Sequence, residues 1–245
     1  MRGVRLLLRE NPISAAGKVI RYAKWRIPAE IKRHRMLSLD TSEERFTAIY
    51  SSNLWAAADT VSGPAASLKN TEALRRHLPP TFEKYGVRTL FDVPCGDFHW
   101  MKHVVAEYPM TYIGGDIVLP LIEANNARYG NARTSFIHFD ASRDRLPKAD
   151  LYLCRGLLSL LSLADGVNAL RRFAESDIPY ILASTHKTHY GVANTDIKSG
   201  DFRRIDMFSA PFSLPQEISR LPDSNDEDVC LWSREQVALA VKGAG

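Results

Sequence analysis

The sequence predicts an α/β protein: a mostly parallel, doubly wound sheet with helices on both faces, preceded by an N-terminal helical extension. Two segments and one pattern point there. TLFDVPCGDFHWM at 89–101 and YIGGDIV at 112–118 each read as a buried strand that ends in an acidic, glycine-bearing turn. From residue 88 onward, strand-like and helix-like stretches alternate, and strand–helix–strand units at this spacing give parallel strands covered on both sides.

In chain order, residues 12–36 read as a helix. Ile13, Ala16, Ile20, Ala23 and Ile27 step by three and four and form one apolar stripe, with basic residues on the other faces. Pro28 is expected to kink or split it. Residues 41–51 (TSEERFTAIYS) begin with a capping signature and read as a short helix, and SGPA at 62–65 as a turn. Residues 67–85 read as a helix through Leu68, Thr71, Leu74 and Leu78, with a break at Pro79–Pro80 and a second piece to Tyr85. Strands are expected at 88–93, 111–115, 134–139, 149–154 and 179–184. The helices between them are expected at 97–107, 119–129 and 164–175. After residue 190 the chain is loop-rich, with Pro211, Pro215 and Pro222, before a last strand near 228–232 and a helix from Ser233. The expected organisation is a basic arm over 1–40, a helical cap over 41–87 and a Rossmann-like core over 88–245.

The bulk composition fits a globular protein with an ample core: 245 residues, 45% hydrophobic and 24% charged. Cys95, Cys154 and Cys230 are far apart, odd in number and without metal-ligand spacing. Neither a disulfide framework nor a metal site is expected, and a reducing, cytoplasmic setting fits. The LLL at 6–8 is too short for a signal core, and the longest apolar run, 157–164, is far below spanning length. The net charge of +4 is uneven: residues 1–36 hold ten Lys/Arg against Glu10 and Glu30, leaving 22 basic and 26 acidic residues elsewhere. This arm suits a peripheral contact with an anionic membrane surface at the inner face, a docking partner, or simple packing on its own domain. Nucleic acid is a poorer match, because the rest of the chain is net acidic and carries no RNA-binding module. Nothing in the sequence speaks to oligomeric state.

The turn after the first strand, DVPCGDF at 92–98, keeps only Gly96 of a dinucleotide-type glycine pattern. Asp97 would repel a pyrophosphate, so a cofactor without phosphate suits the site better. S-adenosylmethionine is such a molecule. Asp92 or Asp97 suits its ammonium, Asp116 the ribose hydroxyls, and Asp140, ending the third strand in FIHFDAS, the adenine amino group. A single acid at a strand end is more often a helix cap; three at successive strand ends point to a ligand. Trp55 and Trp100 are candidates for the pocket wall. Arg155, directly after the fourth strand, is a candidate for the cofactor carboxylate or an acidic substrate. Pro94, Cys95 and Ile117 of the two motifs complete the candidate cofactor set.

On these residues the chain resembles class I S-adenosylmethionine-dependent methyltransferases, and within them a small bacterial and viral subgroup. The resemblance rests on Asp92 to Met101 and Tyr112 to Val118. It continues in Cys154–Arg155, Asn194, Asp196–Ile197, Gly200, Pro211–Phe212 and Pro215, and upstream in Trp55 and SGPAASLKNT at 62–71. It spans roughly residues 46–235. Two positions depart from the subgroup pattern. Gly156 and Leu160 stand where it usually has an Asp and a His, and ASTH at 183–186 replaces a Thr-rich run. No catalytic base is therefore carried over.

A base is needed only when the acceptor holds its proton tightly, as a sugar or alcohol hydroxyl does. His186 and His189, in STHKTHYGVANTDI after the fifth strand, are candidates, and Asp196 could serve as base or orienter. The resulting expectation is O-methylation of a saccharide or other small hydroxylated metabolite, a glycan acceptor included. Alternatives are methyl-ester formation on a carboxylate with Arg155 and Arg203 supplying positive charge, a nucleic-acid methyltransferase, and a non-catalytic binding protein of the same fold.

Overall fold

The computed structural model describes residues 30–55, 57–224 and 226–243. Most of the expected 12–36 helix, with Pro28, lies outside them; residues 30–37 are helical. Seven strands follow: β1 Thr89–Asp92, β2 Thr111–Asp116, β3 Thr134–His138, β4 Leu151–Cys154, β5 Tyr180–His186, β6 Ser219–Pro222 and β7 Glu227–Ser233. They form one sheet in the order β3-β2-β1-β4-β5-β7-β6. β1 to β5 are parallel, and β7 inserts antiparallel between β5 and β6. The strand order reverses where β4 pairs on the far side of β1. That is the point at which an open α/β sheet leaves a crevice at its carboxyl edge.

Alternation along the central strands sends apolar side chains to both faces. Leu90, Leu151, Leu153, Leu182 and Leu231 join one core, while Phe91, Tyr152, Ile181, Ala183 and Trp232 join the other. A sheet buried on both faces must read as nearly continuous hydrophobic runs, as these strands do. The helices covering it are α1 Ser42–Ser51, α2 Glu72–Lys84, α3 Met101–Glu107, α4 Leu119–Tyr129, α5 Leu163–Ala174 and α6 Arg234–Lys242. The capping box expected at α1 is present: the Glu44 N–H donates to the Thr41 hydroxyl and the Thr41 N–H to the Glu44 carboxylate. Ser233 and Gln236 cap α6 in the same way.

Three expectations needed correction. Helix α2 does not break at Pro79–Pro80 but runs through both. Each proline deprives a carbonyl of its N–H partner, yet Leu74, Leu78 and Phe82 are fully buried along that face, and their packing holds the turn. The helix expected from residue 97 starts at Met101, because Phe98 takes a positive φ of 57° and residues 97–100 form a tight turn. β6 was not anticipated: it is four residues long, lies at the sheet edge and contains Pro222, a proline that only an edge strand accommodates. Among the described residues no helix is long and apolar enough to cross a membrane.

Candidate cofactor and acceptor site

A cavity of about 420 Å³ opens at the carboxyl ends of β1, β2, β3 and β4, within the usual size of a small-molecule site. Trp55, Asp92, Pro94, Cys95, Gly96, Asp97, Trp100, Asp116, Ile117, Asp140 and Arg155 all line it. The structure therefore brings the whole candidate cofactor set together.

The turn after β1 is held from several sides. Gly96 has a φ of +52°, and a Cβ there would meet the Ser62 Oγ at 2.3 Å. Only glycine supplies that backbone without strain. Its N–H donates to Asp116 Oδ2 at 3.1 Å, and its carbonyl accepts from the buried Asn125 Nδ2 at 2.7 Å. Asp116 takes a second N–H, from Val118, on Oδ1 at 3.1 Å. Burial raises its pKa to about 6, the backbone donors opposing. Asp92 is 2% exposed and accepts the Tyr112 hydroxyl at 2.7 Å. Burial raises it to about 7, with Tyr112 and Arg155 opposing and Asp116 adding repulsion. Both acids ionise less readily than exposed carboxyls, and a bound cation or further donors would favour their charged forms.

Asp97 and Asp140 are differently engaged. The hydroxyls of Thr60 and Ser62 and the Val61 N–H all donate to the Asp97 carboxylate, at 2.8 to 3.2 Å. Asp97 thus fastens the 60–62 loop to the β1 turn. Asp140 Oδ1 accepts the Ser142 N–H at 2.9 Å and its hydroxyl at 2.7 Å. Arg155 forms a two-pronged ion pair with Asp223, at 2.8 and 3.1 Å, donates to the Ala65 carbonyl at 2.9 Å and lies over the Trp100 ring at 5.3 Å.

The three candidates for catalysis are placed elsewhere. None of His186, His189 and Asp196 is among the residues lining the cavity. His186 is not in the loop after β5 but is its last residue, 2% exposed. His189 sits in the short 3-10 turn Lys187–His189. Asp196 is exposed and accepts the Leu163 N–H at 2.7 Å, capping α5. Arg203 is buried rather than solvated and donates to the Leu158 and Leu161 carbonyls. Gly156 and Leu160, the two departures from the subgroup pattern, do line the cavity, so that wall is apolar here.

Sequence reading missed Glu227. It opens β7, lies opposite His186 in the β5–β7 pairing and lines the cavity. Its Oε1 is 3.0 Å from His186 Nε2. Only the register of an antiparallel strand from 40 residues downstream makes this pair, and local patterning carries no trace of it. The charge balance of the wall is equally non-local. Among the described residues it holds the carboxyls of Asp92, Asp97, Asp116, Asp140, Asp165 and Glu227, and Arg155 as its one cation.

No protein-family model matches the chain, and no curated protein does. Solved structures do. Human N-acetylserotonin methyltransferase in complex with S-adenosylmethionine is 17% identical with a TM-score of 0.53, over 80% of this chain and 60% of that one. The N-methyltransferase NodS from Bradyrhizobium japonicum WM9, in complex with S-adenosyl-L-homocysteine, is 12% identical with a TM-score of 0.51, over 82% of this chain and 95% of that one. TnmH is 18% identical with a TM-score of 0.53, over 76% and 56%. The chain thus spans about three fifths of the human enzyme's length. At these identities the likeness is one of fold, and the chain has the Rossmann-like fold of class I methyltransferases.

Proposed function

We propose that this protein is an S-adenosylmethionine-dependent methyltransferase acting on a hydroxyl of a saccharide or other small hydroxylated metabolite. The supporting observation is the convergence of Asp92, Asp116 and Asp140 from three successive strand ends, with the Gly96 turn, on one cavity. The residues fit that cofactor. The wall has six carboxyls and no free cation among the described residues, which suits a cationic, phosphate-free ligand and opposes a dinucleotide. In this reading Asp116 receives the ribose hydroxyls, Asp92 faces the ammonium end, and Asp140 faces the adenine. The bound cofactor supplies an electrophilic methyl carbon; alignment by the protein can account for roughly 7–11 kcal/mol of the barrier. The motif likeness to the bacterial and viral subgroup, carried by Asp92 to Met101, adds to this reading.

The ester-forming alternative fares worse. It needs positive charge at the acceptor, and Arg155 is already engaged by Asp223. A nucleic-acid acceptor meets the same acidic wall. The basic arm over 1–36 would suit an acceptor presented at the cytoplasmic face of an anionic membrane.

Titration calorimetry tests the reading. S-adenosylmethionine and S-adenosylhomocysteine should both give heat, and ATP, with the same nucleoside and three phosphates, should give none. Silence from the first two sinks the proposal.

A further inference from the structure

The cavity wall includes a partly buried acid that the cofactor does not need, Glu227, backed by the buried imidazole of His186. The Glu227 carboxylate pairs with His186 on β5 and feels the charge of Arg155 after β4, while the neighbouring acids Asp226 and Asp223 repel it. The Ile205 N–H donates to His186 Nδ1 at 3.3 Å, and the His186 N–H returns to the Ile205 carbonyl at 3.0 Å. A nitrogen that accepts carries no proton, so the ring proton sits on Nε2 and points at Glu227. Burial raises the Glu227 pKa, but the His186 hydrogen bond and the Arg155 charge outweigh it and hold the carboxyl below its usual range. Gly156, Leu160 and Trp55 line the same cavity, as does Phe202, 55% exposed and packed edge-on against His186 at 5.9 Å.

We infer that the Glu227 carboxylate receives the hydroxyl of an uncharged acceptor as its catalytic residue, with His186 as the positioning residue behind it. This rests on the methyltransferase reading and names its substrate class: an acceptor without negative charge, apolar on the face that meets Trp55 and Leu160. Glu227 takes up the hydroxyl proton while the acceptor oxygen bonds to the methyl carbon and the sulfonium S–C bond breaks. The products are a methyl ether, a neutral thioether and a protonated Glu227, which returns its proton to water.

The test uses the full chain saturated with S-adenosylhomocysteine and follows the Glu227 carboxyl carbon by NMR. Its midpoint should lie below that of exposed glutamates. His186→Leu should move it up by about one pH unit, and His186→Gln, which keeps an N–H donor, should bring it back. Phenol should shift the signal; benzoate, the same ring with an anionic group, should not. Glu227→Gln probes the site with His186 intact: affinity for S-adenosylhomocysteine by calorimetry should stay within about twofold of the parent, while contact with phenol, read by saturation transfer, should be lost. A midpoint indifferent to His186→Leu, phenol without effect, benzoate bound as well as phenol, or phenol contact surviving Glu227→Gln overturns the inference. If the parent chain binds no S-adenosylhomocysteine, the methyltransferase reading fails instead, which keeps the two outcomes apart.

Discussion

Asp92 and Glu227 line the same cavity, and their surroundings drive them in opposite directions. Both are largely removed from water, which penalises the charge of each. Asp92 is the deeper of the two; its one hydrogen-bond donor is the neutral Tyr112 hydroxyl, Asp116 repels it, and the Arg155 charge does not offset its burial, so its pKa rises to about 7. Glu227 has an imidazole N–H and a nearby guanidinium, and its pKa falls. Depth alone therefore does not set the state of a buried acid; the number and charge of its donors do. One acid is short of positive charge and waits for a cation. The other is already ionised and waits for a donor.

Arg155 is the group whose removal should break this contrast most. Arg155→Ala leaves Asp223 buried and unpaired, which costs about 3–5 kcal/mol, and it removes the charge that keeps Glu227 ionised. A denaturant titration should show the loss, and Arg155→Lys should recover only part of it, since an ammonium cannot reproduce the two-pronged pair. Next in size, Asp116→Asn should weaken S-adenosylhomocysteine binding by about 1.5–3 kcal/mol, the worth of a charge-assisted hydrogen bond, and also lower Tm, since its amide can accept only one of the Gly96 and Val118 N–H groups. An unchanged Kd would remove Asp116 from the cofactor site.

The third prediction concerns pH. Asp92 and Asp116 have folded pKa values of about 7 and 6, above the usual carboxylate range. Between about pH 4 and 7 the folded, ligand-free chain therefore holds more protons than the unfolded chain. Its stability is full below that window and declines as pH rises through it. A bound cation favours the ionised forms, so affinity for S-adenosylmethionine should rise between pH 5 and 8, by about tenfold for each pKa unit recovered. Calorimetry at three pH values would show it, and a flat profile would mean that neither Asp92 meets the ammonium nor Asp116 the ribose hydroxyls. The smallest effect belongs to Gly156. Its φ is +73° and a Cβ there meets nothing within 4 Å. Gly156→Asn should cost only about 1 kcal/mol in a thermal melt, while placing a polar side chain on the apolar wall.

Much of the nucleoside end could be read from the sequence. Its acids sit at the last residue of a strand or just beyond it, the strands are apolar runs, and Gly96 lies in the turn between. All of these are local signals, and the structure gathers them at one crevice. The acceptor end was not legible in the same way. Glu227 begins an apolar strand like many others, and its meaning comes from β7 inserting beside β5. His186 was read as a loop residue because β5 runs two residues beyond its expected end at 184, its last residues hydrogen-bonded to Ile205 and Met207. The prolines of α2 misled for a related reason: the rule that prolines break helices is local, and the packing of Leu78 and Phe82 that overrides it is not.

The latch formed by Asp97 decides how molecules come and go. Residues 60–62 cannot swing outward without giving up three hydrogen bonds to a carboxylate of the turn that follows β1. That flank is the fixed jamb of the doorway. Changes in how fast ligands leave should therefore follow the loss of the Asp97 carboxylate, and not the pliability that the Ser-Gly turn shows on paper.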